Sequence, residues 1–250
     1  MKKRIVLLIA IMLCTIVTAQ VYPELVEVKG GTFVMGDRLG TGEIDERPAH
    51  EVTLTDYYIG TTEVTVEQYN VYCDAMGIEM PKKPEGGWKN DAPIVNVNWD
   101  DAINYCKWLS LELGRPIVLP TAAQWEFAAR GGNKSKGYKY SGSDDMDVVG
   151  WYQGNSENRK YAHPVAKKTP NELGLFDMNG NVWEWCSDKF EKEYYLNSPK
   201  FNPKNAGKED SPIAIRGGCW FYPEYFNRFE NRGSSVSFRR KTIGFRVASF

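Results

Sequence analysis

Leu175-Phe176-Asp177-Met178-Asn179-Gly180-Asn181-Val182-Trp183-Glu184-Trp185 is the stretch that decides the architecture. Its Asn-Gly step marks a turn, since both residues accept a left-handed backbone, and Val182 to Trp185 is a short branched and aromatic run of strand character. This apolar island sits inside residues 133–210, which are otherwise rich in Gly, Asn, Ser, Pro and Lys and carry no helical periodicity. The expectation is long loops around short strands. Loops of that length in a compact domain need staples, and bound calcium or disulfides would serve.

Working outward, regular elements appear on both sides. Val26 to Met35 alternates as a strand up to Gly36, and Glu51 to Ile59 alternates in the same way. Thr65-Val66-Glu67-Gln68 has the spacing of a capping box, and Val66, Tyr69, Tyr72, Cys73 and Met76 follow at helical spacing before Gly77. Trp99, Ala102, Ile103, Cys106, Leu109 and Leu113 predict a second helix, with Asp100 and Asp101 in its first turn and Gly114 at its end. Thr121 and Gln124 open a short third helix that stops at Gly131-Gly132, and Gly244 to Val247 returns to strand character. With neither an internal repeat nor a low-complexity linker, the chain reads as one loop-rich α+β domain over residues 20–250, with short strands and about three helices.

Composition excludes several classes of function. Of the 250 residues 42% are hydrophobic and 25% charged, and 31 Lys and Arg face 32 Asp and Glu, so there is no cationic surplus to neutralise phosphates and no nucleic-acid partner is expected. Lys2, Lys3 and Arg4 precede an apolar run from Ile5 to Val17, and Val17-Thr18-Ala19 offers small side chains for cleavage. The run is 13 residues long, whereas a membrane span needs about 20. Residues 1–19 are therefore expected to be a removed signal peptide, and Cys14, which follows Leu13, does not fit a lipid anchor. The mature chain keeps 28 cations against 32 carboxylates, a net charge of −4, carries no membrane span, and is expected to be secreted, periplasmic or held in the cell envelope. Its four cysteines, Cys73, Cys106, Cys186 and Cys219, allow two disulfides in an oxidising compartment by any of three connectivities. No CxxC is present, and His50 and His163 each stand without a second ligand nearby, so a zinc site is not expected.

Five motifs in order carry a resemblance: Gly30-Gly31-Thr32-Phe33-Val34-Met35-Gly36; Leu119-Pro120-Thr121 with Gln124-Trp125-Glu126; Gly180-Asn181-Val182-Trp183-Glu184-Trp185; Arg216-Gly217-Gly218; and Gly244-Phe245-Arg246. Together, from about Leu25 to Phe250, they resemble the formylglycine-generating enzyme family, also called sulfatase-modifying factor. The resemblance implies a single C-type-lectin-like domain. It also implies, for members that are enzymes, oxidation of a sulfatase cysteine at copper held by two thiolates, soft ligands that select Cu(I). Those thiolates lie four and nine residues after the second glycine of Arg-Gly-Gly, where this chain has Tyr222 and Asn227. Copper is therefore not expected, no catalytic residue is assigned, and an oxidase built on Cys219, the one thiol of that stretch, stands as the alternative. A branch that uses iron needs an extra helical domain and three histidines, and this chain has two. Neither histidine has an identifiable nucleophile partner in the sequence, so hydrolysis finds no support.

The resemblance further implies a structural calcium held by Asp177, the carbonyls of Gly180 and Val182, and Glu184, the oxygen-only set a hard cation needs. The competing account is a buried Asn-Gly turn with Glu184 paired to an arginine, in a structural network with Arg216 and Arg246. Cys186 and Cys219 are expected on neighbouring strands and able to pair. In relatives the partner of the Cys106 position follows Gly-Phe-Arg, which here is Val247, so Cys106 pairs with Cys73 or stays free. Trp183, Trp185 and Trp220 are expected to pack rather than to stack on sugars. Residues 219–240 read CWFYPEYFNRFENRGSSVSFRR, where aromatic rings and Arg give contact area and Ser and Asn adapt their hydrogen bonds. Trp220, Phe221, Tyr222, Tyr225, Phe226, Asn227 and Arg228 are the expected surface for a protein, peptide or glycan ligand. The segment also resembles the variable C-terminal part of ligand-binding proteins diversified by retroelements. A structural subunit of an envelope or secretion complex is the remaining alternative.

Overall fold

The computed structural model describes residues 21–156 and 160–250, so the signal segment and Cys14 lie outside the described residues. Both N-terminal strand runs break at one shared place. The first gives β1 (Leu25–Val28) and β2 (Gly31–Met35), the second β3 (His50–Leu54) and β4 (Tyr57–Gly60). β1 pairs with β4 and β2 with β3, both antiparallel, and across the break the Gly30 N–H donates to the Asp56 carboxylate at 2.8 Å. A Cβ at residue 30 would stand 2.3 Å from the Leu54 carbonyl oxygen, so only glycine fits where this ribbon bends.

The helices start where the caps place them. α1 (Val66–Met76), α2 (Trp99–Leu113) and α3 (Ala122–Ala129) each open on a reciprocal capping box, Thr65 with Gln68, Asn98 with Asp101, and Thr121 with Gln124. Each box satisfies two amides that the first turn leaves without partners, and losing a cap costs about 1 kcal/mol. A fourth helix, α4 (Met146–Val149), is a single turn in the loop-rich region that periodicity could not register.

The decisive stretch supplies β5 (Trp183–Lys189), the centre of a sheet with β6 (Ile213–Arg216), β7 (Gly233–Ser235) and β8 (Ile243–Gly244) in the order β7-β6-β5-β8. β8 runs parallel to β5, and the tail strand expected through Val247 is instead split, since β9 (Ala248–Ser249) joins β4 in the other sheet, of order β1-β4-β9. Residues 245–247 thus tie the two sheets together. Strand alternation divides the core in two. Trp183, Trp185, Ile213 and Ile215 pack against Tyr69, Tyr105 and Leu109 of α1 and α2, while Cys186 and Ala214 pack on the opposite face with Trp125 and Phe127 of α3.

That division corrects the expected Cys186–Cys219 pair, while Cys106 takes the second of its two alternatives and stays free. All four described cysteines are free and buried. Cys186 belongs to the α3 side of the sheet and Cys219 to the α1–α2 side, so the sheet separates them. Cys73 and Cys106 share one core, but the Cys73 sulfur lies 3.9 Å from the Glu79 carbonyl oxygen and pairs with no thiol. Among the described residues no helix is long and apolar enough to cross a membrane.

Candidate functional site

β6 delivers the chain to Gly217 and Gly218, whose φ angles of 93° and 77° turn it back over the sheet. A Cβ on Gly218 would stand 2.2 Å from Asn227 Oδ1, so glycine lets the returning loop close. Asn227, expected on the ligand surface, is instead fully buried as the clasp of this loop. Its Nδ2 donates to the carbonyls of Tyr222 at 3.2 Å and Pro223 at 2.8 Å, and its own carbonyl accepts from Asn179 Nδ2 at 2.6 Å. Trp220, also expected on the surface, is fully buried beside Val95, Ala162 and Val182, in keeping with its packing role.

Downstream, the segment is held from two sides. Arg216 donates to the carbonyls of Phe229, Glu230 and Asn231 at 3.0, 3.2 and 3.0 Å, and its guanidinium pairs with the buried Glu126 of α3. Burial alone would push the Glu126 carboxyl up, but Arg130 and Arg216 together hold it below its ordinary value. Arg228 forks onto the fully buried Glu46 at 2.9 and 2.8 Å, Asn231 Nδ2 adds a third bond to it at 3.0 Å, and the Tyr225 hydroxyl donates to Glu43 at 3.0 Å. Arg228 is thus chiefly an anchor to the 43–46 turn.

On this fixed base stand the rings. Phe221 is 49% exposed and Tyr222 and Tyr225 are 39% exposed each, with Phe226 half-buried between them. Edge-to-face contacts link Phe221 to Tyr222, Tyr222 to Phe226 and Phe226 to Tyr225 at centroid distances of 5.8, 5.6 and 5.2 Å, and Trp183 of β5 supports Tyr222 from beneath at 6.2 Å. Such a ladder offers apolar area whose conformational entropy is already spent. Cys219 is fully buried, and burial pushes its thiol up to about 12, so with no metal bound it is protonated at neutral pH.

The second candidate region lies under β5. Glu184 accepts from Trp125 Nε1 at 2.7 Å and from Arg246 at 2.6 and 2.7 Å, so its arginine is Arg246, while Arg216 belongs to Glu126. Asp177, at φ 58°, accepts the Ala166 N–H through Oδ2 at 2.8 Å. Its Oδ1 is buried without a partner, and so are both carboxylate oxygens of Glu63, which is fully buried close by. Burial pushes the Asp177 carboxyl up to about 6 and Glu63 well above its usual range. Three buried carboxylates share one guanidinium, and unpartnered oxygen donors are what a hard cation would take. Among the described residues no three carboxylate, imidazole or thiol side chains converge closely enough to hold an ion by themselves, so a cation here would draw on main-chain oxygens such as those of Gly180 and Val182. Glu63 carries no spacing signal that would have singled it out in the sequence.

Folding also gives His163 a neighbour that spacing did not indicate. Its Nε2 lies 3.1 Å from Ser156 Oγ, and its ring stacks on Trp151 at 3.9 Å. Burial, with Lys89 and Lys168 adding to it, lowers His163 to about 4. Ser156 is only 2% exposed, and His163 is half-buried beside it.

The family model described as sulfatase-modifying factor enzyme 1-like domain matches residues 15–249. The formylglycine-generating enzyme of Streptomyces coelicolor is 29% identical, over 90% of this chain and 88% of its own. The inactive C-alpha-formylglycine-generating enzyme 2 of Mus musculus is 28% identical over 68% of this chain and 70% of its own. Among solved structures, PvdO from Pseudomonas aeruginosa superimposes with a TM-score of 0.79 at 28% identity, covering 91% of this chain and 94% of that one.

Proposed function

Since the chain belongs to the sulfatase-modifying factor enzyme 1-like domain family, we propose that it is an exported, non-catalytic member that binds a protein, peptide or glycan through the ring ladder of Phe221, Tyr222, Tyr225 and Phe226. One observation carries the proposal: Phe221, Tyr222 and Tyr225 are exposed around the half-buried Phe226 on a loop whose base is fixed by Asn227, Arg216 and the Glu46–Arg228 fork. At the two positions where the family's enzymes place thiolates, this chain has a half-exposed phenol, Tyr222, and the buried amide of Asn227. A neutral amide turned onto main-chain carbonyls offers no soft ligand to Cu(I). A relative named as inactive agrees with a scaffold that persists without the reaction.

A calcium ion held by Asp177, the Gly180 and Val182 carbonyls and Glu184, with Glu63 alongside, completes the proposal. It would neutralise the surplus charge under β5 and hold the 177–184 turn that leads into the sheet. The test of the binding role is partner capture from envelope and culture-fluid fractions by the signal-less chain and by its Phe221→Ala/Tyr222→Ala/Tyr225→Ala variant. The partner should be retained by the first and lost by the second; a variant that folds and keeps the partner overturns the proposal.

A further inference from the structure

The charge of this chain is nearly balanced overall but not over its surface. Residues 82–91, 160–168 and 239–241 carry nine Lys and Arg against two carboxylates, Glu85 and Asp91. The fold brings the three segments onto one face. Asn96 joins two of them, its Nδ2 donating to the Lys82 carbonyl at 2.8 Å and its N–H to the Arg240 carbonyl at 3.0 Å. The third meets them where Trp88, Lys89, Tyr161 and Lys241 line a cleft of about 20 Å³. Lys82, Lys83, Lys89, Arg240 and Lys241 are exposed and have no ion-pair partner among the described residues. So many like charges gathered on a chain of net charge −1 repel one another, and a negatively charged partner relieves that repulsion.

This face lies beside the ring ladder, joined to it through the buried Trp220. Lys241 Nζ lies 5.6 Å from the Trp220 ring centroid, Trp220 contacts Phe221 at 5.6 Å, and Phe221 begins the ladder. Lys89 and Lys241 both line the cleft, so a carboxylate entering it meets two cationic side chains. Resting on the binding role proposed above, we infer that the partner is an acidic protein segment. Its aromatic or aliphatic side chains lie on Phe221, Tyr222 and Tyr225, and its Asp and Glu side chains run over the lysine face past Lys89 and Lys241.

A random copolymer of glutamate and tyrosine samples both chemistries without a known partner sequence, and it is the probe for fluorescence anisotropy on the signal-less chain. Binding is expected for poly(Glu,Tyr) and not for poly(Lys,Tyr), weakening about tenfold or more between about 50 mM and about 300 mM NaCl. Lys89→Glu/Lys241→Glu should weaken it about tenfold while leaving the melting temperature unchanged, because both side chains are exposed. Failure to bind poly(Glu,Tyr) at low salt, binding that ignores the charge reversal, or tighter binding of polygalacturonate, an acidic glycan, would each overturn the inference. Loss of binding in the triple alanine variant with full binding in the charge-reversed one would refute the acidic partner and leave the ring ladder standing. The opposite pattern would support the cationic face and refute the ladder.

Discussion

Replacing Glu46 by Gln tests whether the ring-bearing loop is held in advance. The fully buried Glu46 carboxylate takes three hydrogen bonds, two from Arg228 at 2.9 and 2.8 Å and one from Asn231 at 3.0 Å. Glutamine keeps the shape but removes the charge and presents an amide N–H₂ to one arm of the guanidinium. Breaking a buried pair costs about 3–5 kcal/mol when the stranded charge stays buried. The Arg228 side chain is 12% exposed and can turn partly to water, so the expected loss is about 2–3 kcal/mol. In a chain of this size that lowers the melting temperature by about 4–10 °C. Amide hydrogen exchange should speed up over 225–232 before it does in β5. An Arg228→Met/Glu46→Gln cycle should return a coupling of about 2 kcal/mol. A melting temperature within about 1 °C of the parent, with exchange over 225–232 unchanged, would refute the idea that this fork fixes the loop.

Three further outcomes follow from the same geometry. Ellman's reagent should find Cys73, Cys106, Cys186 and Cys219 all reduced in denaturant and almost unreactive in the native protein, since burial pushes Cys73 up to about 11 and Cys219 to about 12; absence of free thiols would refute the packing of Cys186 and Cys219 on opposite faces of the sheet. His163 titrates at about 4 in the folded chain against 6.5 when exposed, so between those values the unfolded state binds the extra proton and stability falls as the pH drops through that window. His163→Gln should therefore show a shallower loss of melting temperature from pH 7 to pH 4.5 than the parent, and equal slopes would contradict the burial of that ring. Chelation with EDTA should lower the melting temperature of the parent by several degrees and that of Asp177→Asn by much less, read by differential scanning calorimetry; equal responses would remove the proposed calcium from under β5.

How much of this was legible beforehand depended on how local the cause was. Thr65, Thr121 and the left-handed Gly77 and Gly114 act within one helical turn, so the helices could be placed from sequence. The bend at Gly30 is set by a carbonyl of residue 54 and a carboxylate of residue 56, so alternation ran straight through it. Aromatic composition drew attention to the 219–240 segment, which does carry exposed rings, but it did not indicate which of its residues face out. Trp220 and Asn227 turn inward in a stretch that opens on two consecutive left-handed glycines and contains a tight turn at 224–227, where strand parity does not apply. Glu63 was silent for a similar reason, since its distinction is burial beside Asp177, a contact across 114 positions of sequence. The lysine face is assembled from three separate segments, which overall net charge averages away.

The most direct test of the central claim, a family scaffold that binds rather than oxidises, is elemental analysis of the signal-less protein for copper, iron and calcium alongside oxygen uptake on a cysteine peptide of sulfatase type. The account predicts calcium, no copper beyond trace and no oxygen uptake after Cu(I) is supplied. Stoichiometric copper with oxygen uptake and aldehyde formation on the peptide would contradict it.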